Sequence, residues 1–240
     1  MRKYLVVIPA RLKSERLPNK ALLEIKGIPM VVRTFRQCKK VIPEKNIVVA
    51  TDSNKIVYIC KKFGVPTIMT SKKHLTGTDR VVEVSKKIKS ELYINLQGDE
   101  PIFPPKDIKK FLKIAIKNKK EILNGYCRIN NSKDFKNLNI PKLVFDENNY
   151  LLYMSRSTIP ASKKFKFKEA YKQVCIYSFP KEKLKKFQNK NKTRFEKIED
   201  IEILRYLELG HKVKMIRLSN KSISVDTKKD LNKVRRLILK

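Results

Sequence analysis

Short apolar runs recur through the first half of the chain, and each is followed by a stretch with helical signals. "YLVVIP" (4–9), "NIVVAT" (46–51), Val65 to Thr70 and "LYINLQG" (92–98) show little polar alternation, so they read as strands buried on both faces. Between them, Pro29 suits the first turn of a helix to about Lys40. Asp52 and Ser53 can cap a helix from about Asn54 to Phe63, with Gly64 as its stop. Further helices are predicted from about Thr78 to Lys89 and from Pro104-Pro105 to about Asn118. Strand alternating with helix leaves few choices: a mainly parallel sheet with helices on both faces, an α/β fold.

After Glu121 the rhythm changes. "ILNGYCRI" (122–129) reads as extended, and "KLVFDENNYLLYMS" (142–155) is two apolar runs around a polar turn, a hairpin signal. A strand from about Gln173 to Phe179 leads to a helix near 181–188. One helix is expected over 196–209, stopped by Gly210, then a strand in "KVKMIRL" (212–218) and a last helix after Asp226. With no repeats and no low-complexity linker, residues 1–240 read as one domain with an antiparallel excursion at about 121–180.

The net charge of +34 would suit a nucleic-acid or anionic-surface binder. The lysines, however, lie on every segment, including 39–40, 61–62, 86–89, 109–120 and 181–192, and form no single stripe. They accompany abundant Ile and Asn, whose codons are also AT-rich, which favours compositional drift. Weak, non-specific attraction to polyanions at low salt is the expected remainder. Cys38, Cys60, Cys127 and Cys175 are far apart and read as reduced thiols. His74 and His211 are the only histidines, which argues against a zinc site or a Ser-His-Asp triad. No apolar stretch has the length of a membrane-spanning helix, and the chain enters its first strand without a signal pattern, so the expected compartment is the cytoplasm and no membrane insertion is expected.

Ligands of open α/β sheets bind beyond the carboxyl ends of the strands. Three groups fall there: the loop 10–20 with Arg11, Lys13, Arg16 and Lys20, then Asp99 in "NLQGDEP", and Asp226 in "SVDTKKD". Cations that hold phosphate oxygens and carboxylates that hold a divalent ion suggest a polyphosphate substrate. Each group alone has a plainer reading. The cationic loop could be solvated surface, Asp99 or Asp226 could be a helix cap, and Glu202 with Arg205 could be a surface pair. Neither a Walker A motif nor GxGxxG is present, which argues against P-loop and dinucleotide enzymes.

"IPARLKSERLPNKALLEIKGIPM", "VATDS", "TGTDR", "NLQGDEP", "YMSRSTIP" and "SVDTKKDL" occur in this order, from near residue 4 to 235. The series resembles the 3-deoxy-manno-octulosonate cytidylyltransferase family. The resemblance implies a Rossmann-like nucleotidyltransferase fold and transfer of CMP from CTP to a 3-deoxy-ulosonic acid such as Kdo, with release of pyrophosphate. It implies Mg²⁺, a homodimer to which the 121–180 excursion contributes, and a place in lipopolysaccharide or other surface polysaccharide synthesis. By matched position, Arg11, Ser14, Arg16 and Lys20 belong to the nucleotide-binding loop and Gln97 lies near base and sugar. Asp99 and Asp226 match the metal ligands, and Lys20, Arg16 and Asp99 carry the catalysis. Thr78, Arg80, Arg156, Gln173 and Glu202 match the sugar side, where an Arg can grip a carboxylate. No His falls at a matched position, so no general base is named.

The chain departs from the family pattern on the sugar side. A His is replaced by Gln173, a Gly by Cys175 and a Gln by Ile203, while Asn19-Lys20-Ala21 keeps the loop's cation. Loss of a polar contact alters substrate choice. An amino-Kdo or a sialic-type nonulosonic acid therefore stands as an alternative acceptor, and a basic nucleic-acid binder on an inherited fold as an alternative of another class.

Overall fold

The computed structural model describes residues 2–14, 16–164, 166–187 and 191–239. The N-terminal part comprises β1 (Arg2–Ala10), the small hairpin β2 (Glu24–Ile25) and β3 (Ile28–Pro29), α1 (Met30–Lys39), β4 (Ile47–Thr51), α2 (Asn54–Lys62), β5 (Thr67–Met69), α3 (Gly77–Lys87), β6 (Ser90–Leu96) and α4 (Pro105–Lys117). The rest comprises β7 (Ile122–Arg128), α5 (Ser132–Lys136), β8 (Lys142–Phe145), β9 (Leu151–Ser155), β10 (Tyr171–Pro180), α6 (Lys181–Phe187), α7 (Arg194–Glu199), α8 (Leu204–Glu208), β11 (Val213–Arg217) and α9 (Lys228–Leu239). The short β2–β3 hairpin and α5 were not expected from the sequence. Residue 188, the expected end of the helix here called α6, lies outside the described residues.

Among the described residues, the main sheet runs β11-β7-β10-β6-β1-β4-β5, with β8 paired to β10 and β9 to β8. β1, β4, β5 and β6 are mutually parallel, and β1, β4 and β6 are covered on both faces, in keeping with their unalternating apolar sequences, while the edge strand β5 is only partly buried. β1 shows the double burial directly. Val6 and Ile8 join Phe35 of α1 and Phe111 of α4 on one face, while Leu5 and Val7 join Val81 and Val84 of α3 on the other. β10 runs against both β6 and β7, and β8 and β9 form the expected hairpin. This is the antiparallel excursion.

Two boundaries differ from expectation for local reasons. The helix expected over 196–209 is broken into α7 and α8 at Asp200, whose φ of 49° is left-handed. Short polar residues tolerate that region best after glycine. Arg156 holds the break: its Nε donates to the Glu199 carbonyl (2.6 Å) and its Nη2 to that of Asp200 (3.1 Å). The α7 carbonyls are thus satisfied by a guanidinium instead of a further helical turn. At α2, Ser53 takes the N-cap position without a side-chain bond, and Asp52 turns instead to Arg80.

Candidate active site

The three groups expected at the sheet edge converge. Lys20, in a 3-10 turn after the first loop, donates from Nζ to Asp99 Oδ2 (2.6 Å) and Asp226 Oδ1 (3.0 Å). Arg16 Nη2 reaches the same Asp226 oxygen at 3.2 Å, and its Nη1 donates to Asn139 (3.0 Å). Burial alone would lower the Lys20 pKa, but the Asp99 and Asp226 carboxylates outweigh it and raise it, so the ammonium stays charged. Arg11 is exposed and Ser14 half-buried in the same loop, and neither side chain makes a hydrogen bond among the described residues.

Backbone geometry brings these side chains together. A Cβ on Gly98 would lie 2.8 Å from the Pro9 carbonyl, so only glycine lets the turn after β6 pass this close to the end of β1. The next residue is Asp99, whose carbonyl accepts from the Val225 amide (3.0 Å) and so draws Asp226 alongside. Asp226 does not cap α9. Thr227 and Asp230 cap it reciprocally, with the Thr227 amide on Asp230 Oδ2 (2.8 Å) and the Asp230 amide on Thr227 Oγ1 (3.3 Å). The Asp226 carboxylate is therefore available to the site.

Asp99 Oδ1 is buried with no hydrogen-bond partner among the described residues. A buried carboxylate oxygen left bare can accept from a water or hold a cation. No cluster of three or more His, Cys, Asp or Glu suited to a metal occurs among the described residues. Two carboxylates are too few to cage an ion alone, but they suit Mg²⁺, which takes one or two carboxylates and completes its shell from phosphate and water. Glu100, missed in the sequence although it adjoins Asp99, is buried against Ser222. Burial and then the Asp99 charge push its carboxyl up to about 8, so it keeps its proton at neutral pH and adds no third negative charge.

A second cluster lies on one face of the same edge. Glu202, at the break between α7 and α8, accepts from the Thr78 amide (3.0 Å) and from Gln97 Nε2 (3.2 Å). Asn95 Nδ2 donates to Thr78 Oγ1 (3.2 Å). Gly77 makes room, because a Cβ there would lie 2.7 Å from Gln97 Nε2. Burial raises the Glu202 carboxyl above its usual range against the opposing pull of the Thr78 bonds. Gln173 lies on β10 and donates to Asn124 Oδ1 (2.9 Å). Asn95 and Asn124 were missed, yet each is a polar residue inside an otherwise apolar strand run, which is a readable signal.

Other expected residues have structural partners. Arg80 is buried on the ion pair with Asp52 (2.9 Å) and also donates to Thr70. It is not an exposed helix residue. Arg156, besides holding the α7 break, donates to the Leu138 carbonyl (3.1 Å). Arg205 does not pair with Glu202 on the surface. It is fully buried, with Nε 2.5 Å from Glu196 Oε2, Nη2 2.6 Å from Glu196 Oε1 and Nη1 3.0 Å from Asp79. His74 sits 2.5 Å from Glu83. Burial pushes Cys38 and Cys60 up to about 12 and Cys127 to about 11, which keeps these thiols protonated and unreactive.

Comparison with known proteins agrees with this geometry. The sequence profile of the cytidylyltransferase family matches residues 5–216. The chain is 39% identical, over 97% of both sequences, to the 3-deoxy-manno-octulosonate cytidylyltransferase of Francisella tularensis subsp. novicida (strain U112). It is 35% identical, over 99% of itself and 98% of the relative, to the protein of that name from Chloroherpeton thalassium. Its fold superposes with a TM-score of 0.90 on CMP:2-keto-3-deoxy-manno-octonic acid synthetase solved in complex with CTP, at 32% identity over 99% of this chain and 98% of that one. A cytidylyltransferase from Leptospira borgpetersenii shares the fold at a TM-score of 0.65 and 18% identity.

Proposed function

The chain belongs to the 3-deoxy-manno-octulosonate cytidylyltransferase family, and from that premise we propose that it transfers CMP from CTP to Kdo and releases pyrophosphate. The observation that carries the reading is the meeting of Lys20, Asp99 and Asp226 at the carboxyl edge of the sheet. A magnesium nucleotide needs such an edge: cations for the triphosphate beside carboxylates for the ion.

In the reaction the anomeric hydroxyl of the sugar acid attacks the α-phosphorus. A new P–O bond forms as the bond to pyrophosphate breaks, and the hydroxyl proton leaves to solvent. Such transfer depends on positioning and on neutralising charge. Lys20 and Arg16 supply positive charge to the phosphates and to the departing pyrophosphate, with Arg11 and Ser14 in the same loop. Asp99 and Asp226 would hold Mg²⁺, which when bound neutralises phosphate charge and acidifies the attacking hydroxyl. Gln97, Thr78 and Glu202 form the polar cluster offered to the sugar and base, and Gln173 on β10, Arg80 and Arg156 complete the set assigned to the sugar side.

The whole chain, 1–240, acts in this reading as a single cytidylyltransferase domain. It works as a homodimer in the cytoplasm for lipopolysaccharide or related surface polysaccharide synthesis. Leu138 (64% exposed), Leu152 (61%) and Ile198 (70%), on or beside the excursion, support the dimer as apolar side chains left uncovered in one protomer. No helix among the described residues is long and apolar enough to cross a membrane. Nucleic acid is at most a weak, non-specific partner of the scattered lysines.

The test is to incubate the protein with CTP, Mg²⁺ and a panel of sugar acids, including Kdo, amino-Kdo and a nonulosonic acid, and to follow pyrophosphate. Release with Kdo is expected. Release with no acid would overturn the reading.

A further inference from the structure

Asn124 is fully buried in the middle of β7. Its Nδ2 donates to two main-chain carbonyls of β10, those of Val174 (3.2 Å) and Ile176 (2.9 Å). Between them lies Cys175, at the irregularity where the β10–β7 register shifts between Val174 and Tyr177. Asn124 thus staples the bulge that sets the Cys175 carbonyl against the Gln97 amide (3.2 Å).

The staple also fixes a polarity. A carbonyl only accepts, so the Asn124 nitrogen must face the two carbonyls and its oxygen must face away from them. The group facing that oxygen is Gln173, which must therefore present Nε2, and the separation is 2.9 Å. Gln173 cannot flip without setting two oxygens against each other. Its Oε1 has no hydrogen-bond partner among the described residues and is not sealed in the core. The antiparallel register pairs Tyr177 with Asn95 and Ile176 with Leu96. It therefore carries Gln173 past the carboxyl end of β6, onto the edge where Asp99 stands.

We propose that Asn124 is a positioning residue that locks Gln173 as a hydrogen-bond acceptor, so that the sugar acid is recognised at this point through a donor of its own, a hydroxyl or a protonated amine. Resting on the sugar-acid reading above, this deepens it: Gln173 selects for a donor-bearing substituent and against an analogue in which that substituent is hydrogen or a carboxylate.

The experiment compares the best acceptor with its single-deoxy analogues in wild type, Gln173→Met and Asn124→Leu. In wild type one deoxy analogue should lose about ten- to hundredfold in kcat/KM, the cost of stranding an acceptor that the bound acid covers. In Gln173→Met that analogue and the parent acid should react alike, with the KM for CTP unchanged. Asn124→Leu should raise the KM for the acid and weaken the same discrimination, and its effect should not add to that of Gln173→Met. If Asn124→Leu does not fold, Gln173→Met decides alone. The proposal is overturned if wild type and Gln173→Met penalise every deoxy analogue equally, or if Gln173→Met alters CTP and acid affinity together. Absence of turnover by wild type with any acid is a different result: it removes the sugar-acid reading itself and this proposal with it.

Discussion

Replacing Arg205 by Met should unfold this protein far more readily than any other single charge removal away from the nucleotide edge. The side chain is 0% exposed and its partner Glu196 is 1% exposed. The guanidinium forks onto both Glu196 oxygens at 2.5 and 2.6 Å, reaches Asp79 at 3.0 Å and stacks 3.7 Å over the Phe187 ring. Methionine keeps much of the volume but strands a buried carboxylate in a low-dielectric setting. Breaking one side of a buried pair costs about 3–5 kcal/mol. Against a total of roughly 5–15 kcal/mol for a domain, that is about a fifth or more of the stability. Urea denaturation followed by far-ultraviolet circular dichroism would show the midpoint falling with little change in slope. Because the stranded charge causes the loss, Arg205→Met combined with Glu196→Gln should recover part of it, giving a coupling energy of roughly 1–3 kcal/mol. A single variant that loses under about 1 kcal/mol, or a double variant whose losses simply add, would refute this account.

Lys20→Ala should lower turnover about a hundredfold or more, since it removes charge stabilisation at the transferring phosphate. Because Lys20 also bridges Asp99 and Asp226, its loss should let Mn²⁺ bind more tightly without nucleotide, and an electron paramagnetic resonance titration equal to wild type would count against the bridge. Asp99→Asn should abolish Mg²⁺-dependent turnover while circular dichroism and melting stay close to wild type; retained activity would take Asp99 out of the site. For Glu83, burial alone would raise the pKa, but Lys87, the Ser71 amide and His74 together outweigh it and bring it to about 2, below the usual 4.5. A depressed carboxyl stabilises the fold above its unfolded pKa and loses that contribution as pH falls through the folded one. The destabilisation caused by Glu83→Gln should therefore be full at pH 7 and shrink between about pH 4.5 and 2, and a pH-independent difference in urea midpoints would contradict the pairing.

What could be read from the sequence depended on whether the determinant was local. β1, β4 and β6 declared themselves because burial on both faces leaves a continuous apolar run, and that signal survives without knowing the neighbours. Lys20, Asp99 and Asp226 were legible because ligands of an open α/β sheet gather beyond its carboxyl edge, so three groups far apart in the chain could be assigned to one place. The break at Asp200 was not legible. Residues 196–209 have helical character throughout, and what stops the helix is the guanidinium of Arg156, more than forty positions earlier, taking its carbonyls. Arg205 was misread for the same reason: a Glu three residues before an Arg looks like a surface pair, and only the packing of α7 and α3 against α8 exposes Glu196 and Asp79 as the partners. The break and the buried ion pair have one consequence in common. With the helix interrupted, Glu202 is released from the helical surface and swings to Thr78 and Gln97, while Arg205 stays anchored inside. The Glu202 cluster is therefore built by a long-range contact overriding a local helical preference, whereas the edge with Lys20, Asp99 and Asp226 follows from local pattern. We therefore propose that the substrate choice of this chain rests on Glu202, Gln173 and their supports, the residues whose positions depend most on distant partners.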